Sequence, residues 1–152
     1  MTLDAIRTVA ILGAGTMGNG IAHVFARSGY NVILRDVDAR FLDSAMGTIA
    51  KNLDREIKKG KITESDKSGI VGRIHATTEM AEISRADFAV EAVPERVDLK
   101  LSVLQEADKL LRPEAILASN TSSISVTTLA ASTSRPDRFV GMHFMNPVPV
   151  MV

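Results

Sequence analysis

Residues 8–36 constrain the fold of this chain more than any other stretch. A short apolar run at residues 9–12 has no polar interruption, which is typical of a strand buried on both faces. Three glycines follow at once in the spacing G-x-G-x-x-G, and apolar residues then recur at helical spacing as far as Gly29. A second apolar run, residues 31–35, ends at Asp36. The stretch therefore predicts a strand, a tight turn, a helix and a second strand with an acid at its end.

Each glycine of this turn has its own physical role. Gly13 allows the sharp turn, Gly15 leaves room for a pyrophosphate to approach the backbone, and Gly18 lets the helix pack close to the strand. The helix start offers free N–H groups and the positive end of a dipole to phosphates. Asp36 is suited to accept hydrogen bonds from both hydroxyls of an adenine ribose and to repel a 2′-phosphate. Glycines also mark ordinary turns, but the strand, helix and acid around them favour a dinucleotide site for NAD rather than NADP, a preference that the neighbouring Arg35 weakens.

Size and composition exclude several classes of protein. The chain has 152 residues, 45% of them hydrophobic, which suits one domain with a full core over residues 1–152. The 18 basic and 18 acidic residues balance, so neither nucleic acid nor an anionic membrane is expected as a partner. The absence of cysteine excludes disulfides and thiolate chemistry, and no spacing of ligand residues indicates a metal. Without a secretory signal or a membrane-length apolar run, a cytoplasmic protein is expected.

The remaining sequence alternates helical and strand patterns. Helical periodicity predicts a long helix over residues 38–59, capped by Asp38 and ended by Gly60, with Phe41 on its apolar face. With a second helix over residues 63–71, it predicts a helical hairpin inserted after the second strand. Further strands are predicted at residues 73–77, 87–93, 115–118 and 138–143. A helix over residues 97–111 follows the second of these, a short helix over residues 126–131, capped by Ser125, follows the third, and the order of elements places one more helix after the first. Residues 144–152 are predicted to be extended because Pro147 and Pro149 disfavour a helix. The order β-α-β-(αα)-β-α-β-α-β-α-β predicts an α/β fold with a doubly wound parallel sheet.

In such a sheet, ligands bind beyond the carboxyl ends of the strands, where polar residues cluster in this chain. His143 lies there and is suited to remove a hydroxyl proton while a hydride leaves the same carbon, although it could equally be a structural histidine bonded to a carbonyl. Ser122 could bind a carbonyl or the cofactor, or belong to a helix cap. His23 and His75 are expected to be structural. The other polar residues at this edge are Glu91, Glu95, Ser119, Asn120, Thr121, Ser123 and Asn146.

Four segments resemble one known family. The combination of GAGTMG, EAVPERVDLK, ASNTSS and GMHFMNPVPVM strongly resembles the L-3-hydroxyacyl-CoA dehydrogenases, closest to the bacterial 3-hydroxybutyryl-CoA type, over residues 8–152. The resemblance implies a Rossmann fold, NAD as cofactor and oxidation of L-3-hydroxyacyl-CoA to 3-oxoacyl-CoA in fatty-acid or butanoate metabolism, including β-oxidation.

The resemblance also implies roles for individual residues. His143 corresponds to the catalytic histidine, Ser122 to a serine that contacts substrate and cofactor, and Asn146 to an asparagine near the nicotinamide. Lys59 corresponds to a lysine that meets the CoA phosphates, and Asn52 stands where the family has a CoA-contacting serine. The implied cofactor-binding residues are Gly13, Ala14, Gly15, Thr16, Met17, Gly18, Asp36, Glu95, Lys100, Ser122 and Asn146.

The resemblance carries further expectations and leaves two alternatives open. In the family, a glutamate orients the histidine and a C-terminal helical domain forms the dimer contact. Both correspond to positions after Val152. The full-length enzyme is therefore expected to be a homo-oligomer, and this chain alone is expected to catalyse the reaction poorly. One alternative is a related dehydrogenase of another 3-hydroxy acid such as L-gulonate. The other is a non-catalytic NAD-binding module, against which the presence of both Ser122 and His143 argues.

Overall fold

The computed structural model describes residues 3–151 and contains a six-stranded, wholly parallel sheet in the order β3-β2-β1-β4-β5-β6. Five α-helices connect the strands and cover both faces, which confirms the predicted doubly wound fold. The strands are β1 (Thr8–Leu12), β2 (Asn31–Arg35), β3 (Ile74–Thr77), β4 (Phe88–Glu91), β5 (Ile116–Ser119) and β6 (Phe139–Gly141). The helices are α1 (Thr16–Arg27), α2 (Ala39–Lys58), α3 (Glu64–Gly72), α4 (Val97–Leu110) and α5 (Val126–Ala131).

The central strand β1 determines where the loops meet. It pairs with β2 on one side and β4 on the other, so Leu12 lies between Arg35 and Glu91. The chain leaves β1 towards β2 first and returns to β4 later, and this reversal of strand order opens a crevice at the carboxyl ends. The loops after β1, β2 and β4 therefore face one another across that crevice.

Two hydrophobic layers hold the helices to the sheet. One layer contains Ile21 of α1 and Ile49 of α2, and the other contains Leu104 of α4, all three fully buried. Asp38 caps α2 as predicted, because its side chain accepts a hydrogen bond from Arg40 N. At the start of α3, Thr63 forms a capping box with Asp66. No helix among residues 3–151 combines the length and apolarity that crossing a bilayer requires.

Three sequence predictions need correction. The segment predicted to be extended is interrupted by a turn at residues 148–150, in which Val150 N and Met151 N both donate to Pro147 O. The buried Val148 side chain in this turn packs against Gly20 of α1. Strand β6 ends at Gly141 rather than at residue 143. The helix expected between the third and fourth strands is a 3₁₀ helix, Met80–Arg85. Residue 152 of the last predicted segment lies outside the described residues.

Candidate active site

A cavity of about 680 Å³ lies at the carboxyl edge of the sheet, in the crevice beside β1. The loops after β1, β2, β4, β5 and β6 all contribute to its wall, so five separate segments of the sequence meet there. The sequence-predicted residues that line it are Gly13, Gly15, Thr16, Met17, Asp36, Glu95, Lys100, Ser122, His143 and Asn146.

Two glycines of the glycine loop that follows β1, Gly13 and Gly18, are required by its geometry. Gly13 has a φ of +109°, which other residues rarely adopt. A Cβ atom on Gly18 would lie 1.7 Å from the carbonyl oxygen of Gly13, so α1 can approach the loop this closely only with glycine there. A Cβ atom on Gly15 would meet nothing within 4 Å, and no side chain within the described part of the molecule caps the start of α1. The helix therefore presents unpaired N–H groups towards an open space, which suits an anion.

Asp36 directly follows β2 and is hydrogen-bonded to the glycine loop. Its Oδ2 accepts a hydrogen bond from Ala14 N at 2.7 Å, and its Oδ1 accepts one from Val37 N at 2.7 Å. These bonds fix the carboxylate at one end of the cavity. Ala14 itself lines a second cavity rather than the first.

A buried ion pair lies under the wall of the cavity. Lys100 Nζ donates to Glu91 Oε1 at 2.7 Å and to Val93 O at 3.1 Å, and both side chains are about 1% exposed or less. The same Glu91 carboxylate accepts hydrogen bonds from Val93 N at 2.7 Å and from Ser119 Oγ at 2.5 Å. This arrangement ties the end of β4 to α4 and to β5, the strand that precedes Ser122.

A second carboxylate, Glu95, links the same two loops nearer to solvent. It accepts hydrogen bonds from the hydroxyls of Thr121 and Ser123, and Lys100 Nζ lies 3.5 Å from its Oε2. Burial by itself would raise the pKa of Glu95, but the Thr121 hydroxyl, the Lys100 charge and the bonds from Ser123 lower the pKa below its usual value. The cavity wall near Ser122 therefore carries a carboxylate that stays ionised at neutral pH.

Ser122, His143 and Asn146 come from two different loops and line the same cavity. Ser122 and His143 are exposed, and the imidazole of His143 forms no hydrogen bond within residues 3–151. The arrangement combines an accessible base, a hydroxyl and an amide on one wall with the glycine loop and Asp36 on another. Such a set can hold an extended ligand with a phosphate centre and a reactive end.

A second cavity of about 400 Å³ adjoins the first, and the two share Gly15, Thr16, Phe41 and Asn146 in their linings. Asn52 of α2 lines the second cavity, where its Oδ1 also accepts a hydrogen bond from Arg55 Nη1 at 3.1 Å. Lys59 lines neither cavity and lies at the end of α2, seven residues beyond Asn52. Seven residues are almost two helical turns, so Lys59 continues the same helix face about 10 Å further on.

Sequence reasoning did not identify the roles of Phe41 and Asn120 in the cavity wall. Periodicity assigned Phe41 to the apolar face of α2, but its side chain is 53% exposed and lines both cavities. Asn120 was noted only as one polar residue of the edge, whereas its Oδ1 accepts a hydrogen bond from Phe144 N, next to His143. Proximity of Phe41 to Asp36 in the sequence was the available signal for the first; nothing local signals the second.

The other two histidines lie away from the cavity. His23 is fully buried in α1, 3.3 Å from Glu56 of α2, and burial lowers its pKa although Glu56 opposes the shift. His75 on β3 pairs with Glu82 at the surface. Across the described residues, no group of three His, Cys, Asp or Glu side chains could hold a metal ion.

Comparison with known proteins identifies a family. The sequence profile described as "3-hydroxyacyl-CoA dehydrogenase, NAD binding domain" matches residues 8–152. The chain is 48% identical over 146 residues to the 3-hydroxybutyryl-CoA dehydrogenase of Bradyrhizobium diazoefficiens, an alignment that covers 96% of this chain and 50% of that protein. The probable 3-hydroxybutyryl-CoA dehydrogenase of Bacillus subtilis is 40% identical, with 96% of this chain and 51% of that protein covered.

Solved structures agree with this assignment. The structure is similar to the crystal structure of (S)-3-hydroxybutyryl-CoA dehydrogenase PaaH1 from Ralstonia eutropha, with a TM-score of 0.95 and 50% sequence identity. That match covers 97% of this chain and 52% of the other. The chain thus spans about half the length of the relatives it matches.

Proposed function

Because the chain belongs to the family of NAD-binding domains of 3-hydroxyacyl-CoA dehydrogenases, we propose that it forms the cofactor-binding part of an enzyme that oxidises L-3-hydroxyacyl-CoA to 3-oxoacyl-CoA. Residues 1–152 form one domain in this proposal, and the reaction belongs to fatty-acid or butanoate metabolism, including β-oxidation. The observation that carries the proposal is the meeting of the glycine loop, Asp36, Ser122 and His143 around one cavity.

The residues present fit NAD. The uncapped start of α1 and the open space at Gly15 suit the pyrophosphate, and Asp36 suits the adenine ribose at the other side of the loop. Ser122, Glu95 and Asn146 then border the nicotinamide end, with the Glu91–Lys100 pair supporting the wall behind them. When bound, NAD accepts a hydride from carbon 3 of the substrate.

His143 supplies the proton acceptor for this reaction. As the C3–H bond gives up a hydride, the proton of the 3-hydroxyl passes to the imidazole and the C3–O bond becomes a carbonyl. Ser122 donates its hydroxyl hydrogen to the oxygen at C3 and so orients it towards His143. In the reverse reaction, the imidazolium returns the proton to that oxygen. The exposed position of His143 on the cavity wall leaves its ring accessible to substrate.

The inserted hairpin supplies a path for coenzyme A. The second cavity opens from the first beside Asn146, and Asn52 and Lys59 follow one face of α2 away from it. A pantetheine chain lying along that face would bring the CoA phosphates to the lysines at the end of α2. Lys59 is the residue that the proposal assigns to those phosphates.

The principal test is hydride transfer by the active enzyme that contains this chain, measured as NADH formation from L-3-hydroxybutyryl-CoA. His143→Gln should lower kcat by about a hundredfold or more, the usual scale for a positioned general base, while NAD affinity stays nearly the same. The matched control is His75→Gln, which changes a surface histidine outside the cavity. An unimpaired kcat in His143→Gln would assign His143 a structural role. Faster oxidation of L-gulonate than of the thioester would favour the alternative dehydrogenase.

A second test addresses the substrate path. Lys59→Ala should raise KM for the CoA thioester and leave KM for a short thioester without the nucleotide unchanged, because only CoA carries the phosphates. Lys61→Ala, which removes a neighbouring exposed charge beyond the helix end, is the control. Equal effects on both substrates would show that Lys59 is only a helix-end charge.

A further inference from the structure

The segment that carries His143 leaves the β5–β6 ladder, and a side chain then replaces the sheet as its hydrogen-bond partner. The ladder between β5 and β6 ends with the pairing of Ser119 and Gly141, and one more hydrogen bond follows from Met142 N to Ser119 O at 2.9 Å. In a continued parallel ladder, the next donor on this side would be Phe144 N and its acceptor would be Thr121 O. Strand β5 has turned away by then, because Thr121 N bonds to Ser119 Oγ at 3.2 Å instead.

Asn120 provides the missing acceptor. Its side-chain Oδ1 accepts the hydrogen bond from Phe144 N at 2.8 Å, in a partly buried position. The backbone of Asn120 is itself fixed, since its N–H donates to Glu91 O on β4 at 2.9 Å. The side chain therefore fixes the backbone three residues beyond the end of β6.

The two hydrogen bonds enclose His143. The peptide N–H of Met142 before it and that of Phe144 after it are both held by the 119–120 segment. No hydrogen bond from residues 3–151 reaches the imidazole, so the direction of the ring depends on its backbone. The Phe144 ring, which packs edge-on against Phe25 with centroids 6.3 Å apart, is a second but less directional tether.

From this geometry we propose that Asn120 is a positioning residue for His143, acting through the Phe144 peptide. The proposal rests on the assignment of His143 as the base in the proposed function. The amide oxygen of Asn120 is the atom that positions the segment, since it accepts the hydrogen bond from Phe144 N. Asn120 also lines the cavity, so a direct contact with a ligand is the competing explanation that the test must separate.

Three variants test the proposal in the active enzyme that contains this chain. Asn120→Ala removes the acceptor, Asn120→Asp keeps an acceptor oxygen without the amide N–H₂, and Asn31→Ala changes an exposed asparagine at the start of β2 as a control. Each is measured for kcat, KM, NAD affinity, thermal unfolding and hydrogen exchange of the Phe144 amide by NMR.

Asn120→Ala should accelerate exchange of the Phe144 amide and lower kcat by about 10- to 100-fold, the scale of a small misplacement of a reacting group, with KM and NAD affinity within about twofold. Asn120→Asp should keep the amide protected and hold kcat within about fivefold of the wild type. Equal loss of kcat in both variants would assign the effect to the amide N–H₂ and overturn the proposal, as would a loss of NAD affinity in place of kcat.

The two proposals fail in different ways. If the wild-type enzyme oxidises no 3-hydroxyacyl-CoA, the proposed function fails, and exchange of the Phe144 amide in Asn120→Ala still decides whether Asn120 holds the segment. If the wild type is active but exchange at Phe144 is the same in Asn120→Ala, the positioning proposal fails while the proposed function stands.

Discussion

The buried pair of Lys100 and Glu91 should make this chain unusually sensitive to removal of one charge. Both side chains are almost inaccessible, and their N–O distance is 2.7 Å. Lys100→Met replaces the lysine by an apolar chain of similar length and leaves the Glu91 carboxylate buried without a counter-charge. Removing one partner of a buried ion pair costs about 3–5 kcal/mol of unfolding free energy.

The double variant distinguishes a charge effect from a packing effect. In Glu91→Gln/Lys100→Met no charge remains, and the glutamine oxygen can still accept the hydrogen bond from Val93 N or Ser119 Oγ. The remaining cost is that of neutral polar groups left imperfectly paired, the new amide and Val93 O, at about 1–3 kcal/mol. The double variant should therefore be more stable than Lys100→Met alone, although it carries one substitution more.

Urea unfolding at equilibrium, followed by circular dichroism, measures these free energies. Arg96→Met is the matched control, because Arg96 and Asp98 also lie 2.7 Å apart but are 68% and 71% exposed. That variant should leave the unfolding free energy almost unchanged, since water solvates an exposed charge that loses its partner. Equal effects of Lys100→Met and Arg96→Met, or additive effects in the double variant, would refute the argument from burial.

Three further outcomes are expected from the structure. Arg135→Met should lower the unfolding free energy by about 3–5 kcal/mol in the same assay, because the buried guanidinium bonds to the Asp108 carboxylate and to the carbonyls of residues 108, 111, 112 and 115. Burial lowers the pKa of His23 below 6.5, its value in the unfolded chain, so protonation favours the unfolded state. The unfolding free energy should therefore be highest above pH 6.5 and decline as the pH falls below it. Melting temperatures between about pH 5 and 8 should vary less in His23→Gln than in the wild type. Asp36→Asn should reduce the preference for NAD over NADP in cofactor titrations, since the amide oxygen can still accept from Ala14 N but no longer repels a 2′-phosphate; an unchanged ratio would count against the role of Asp36.

The sequence predicts the fold well where local signals and burial agree. The bounds Asn31–Arg35 and Val126–Ala131 coincide with the predicted segments, and Ser125 caps the latter helix through the bond from Thr128 N. In β2 the apolar run of residues 32–34 is buried, and in α5 a serine cap fixes the helix start while Leu129 and Ala130 are buried. The candidate site followed from the same logic, because the strand ends of a parallel sheet must share one edge.

Tertiary contacts decided the regions where the sequence failed. Phe41 follows the helical period of α2 but lies where α2 begins, beyond the edge of the sheet, so the helix face has no strand to pack on and meets the cavities instead. The two prolines after Asn146 suggested an extended segment, yet Gly20 on α1 leaves a space that Val148 fills, and the chain folds back in a turn to reach it. Gly20 and Val148 lie too far apart in the sequence for their contact to be read from a local pattern.

The buried ion pair shows a signal that lay in the sequence without being used. Glu91 interrupts the apolar run of residues 88–93, and Lys100 interrupts the apolar face of α4, where the buried neighbours are Val103, Leu104 and Ala107. A single charge in an apolar pattern is costly to bury, so an isolated one would contradict the predicted element. Two opposite charges, each out of place in neighbouring elements that must pack together, instead predict each other as partners. In this chain the pair ties β4 to α4 beneath the wall that carries Glu95, so burying the two charges fixes the geometry of the candidate site.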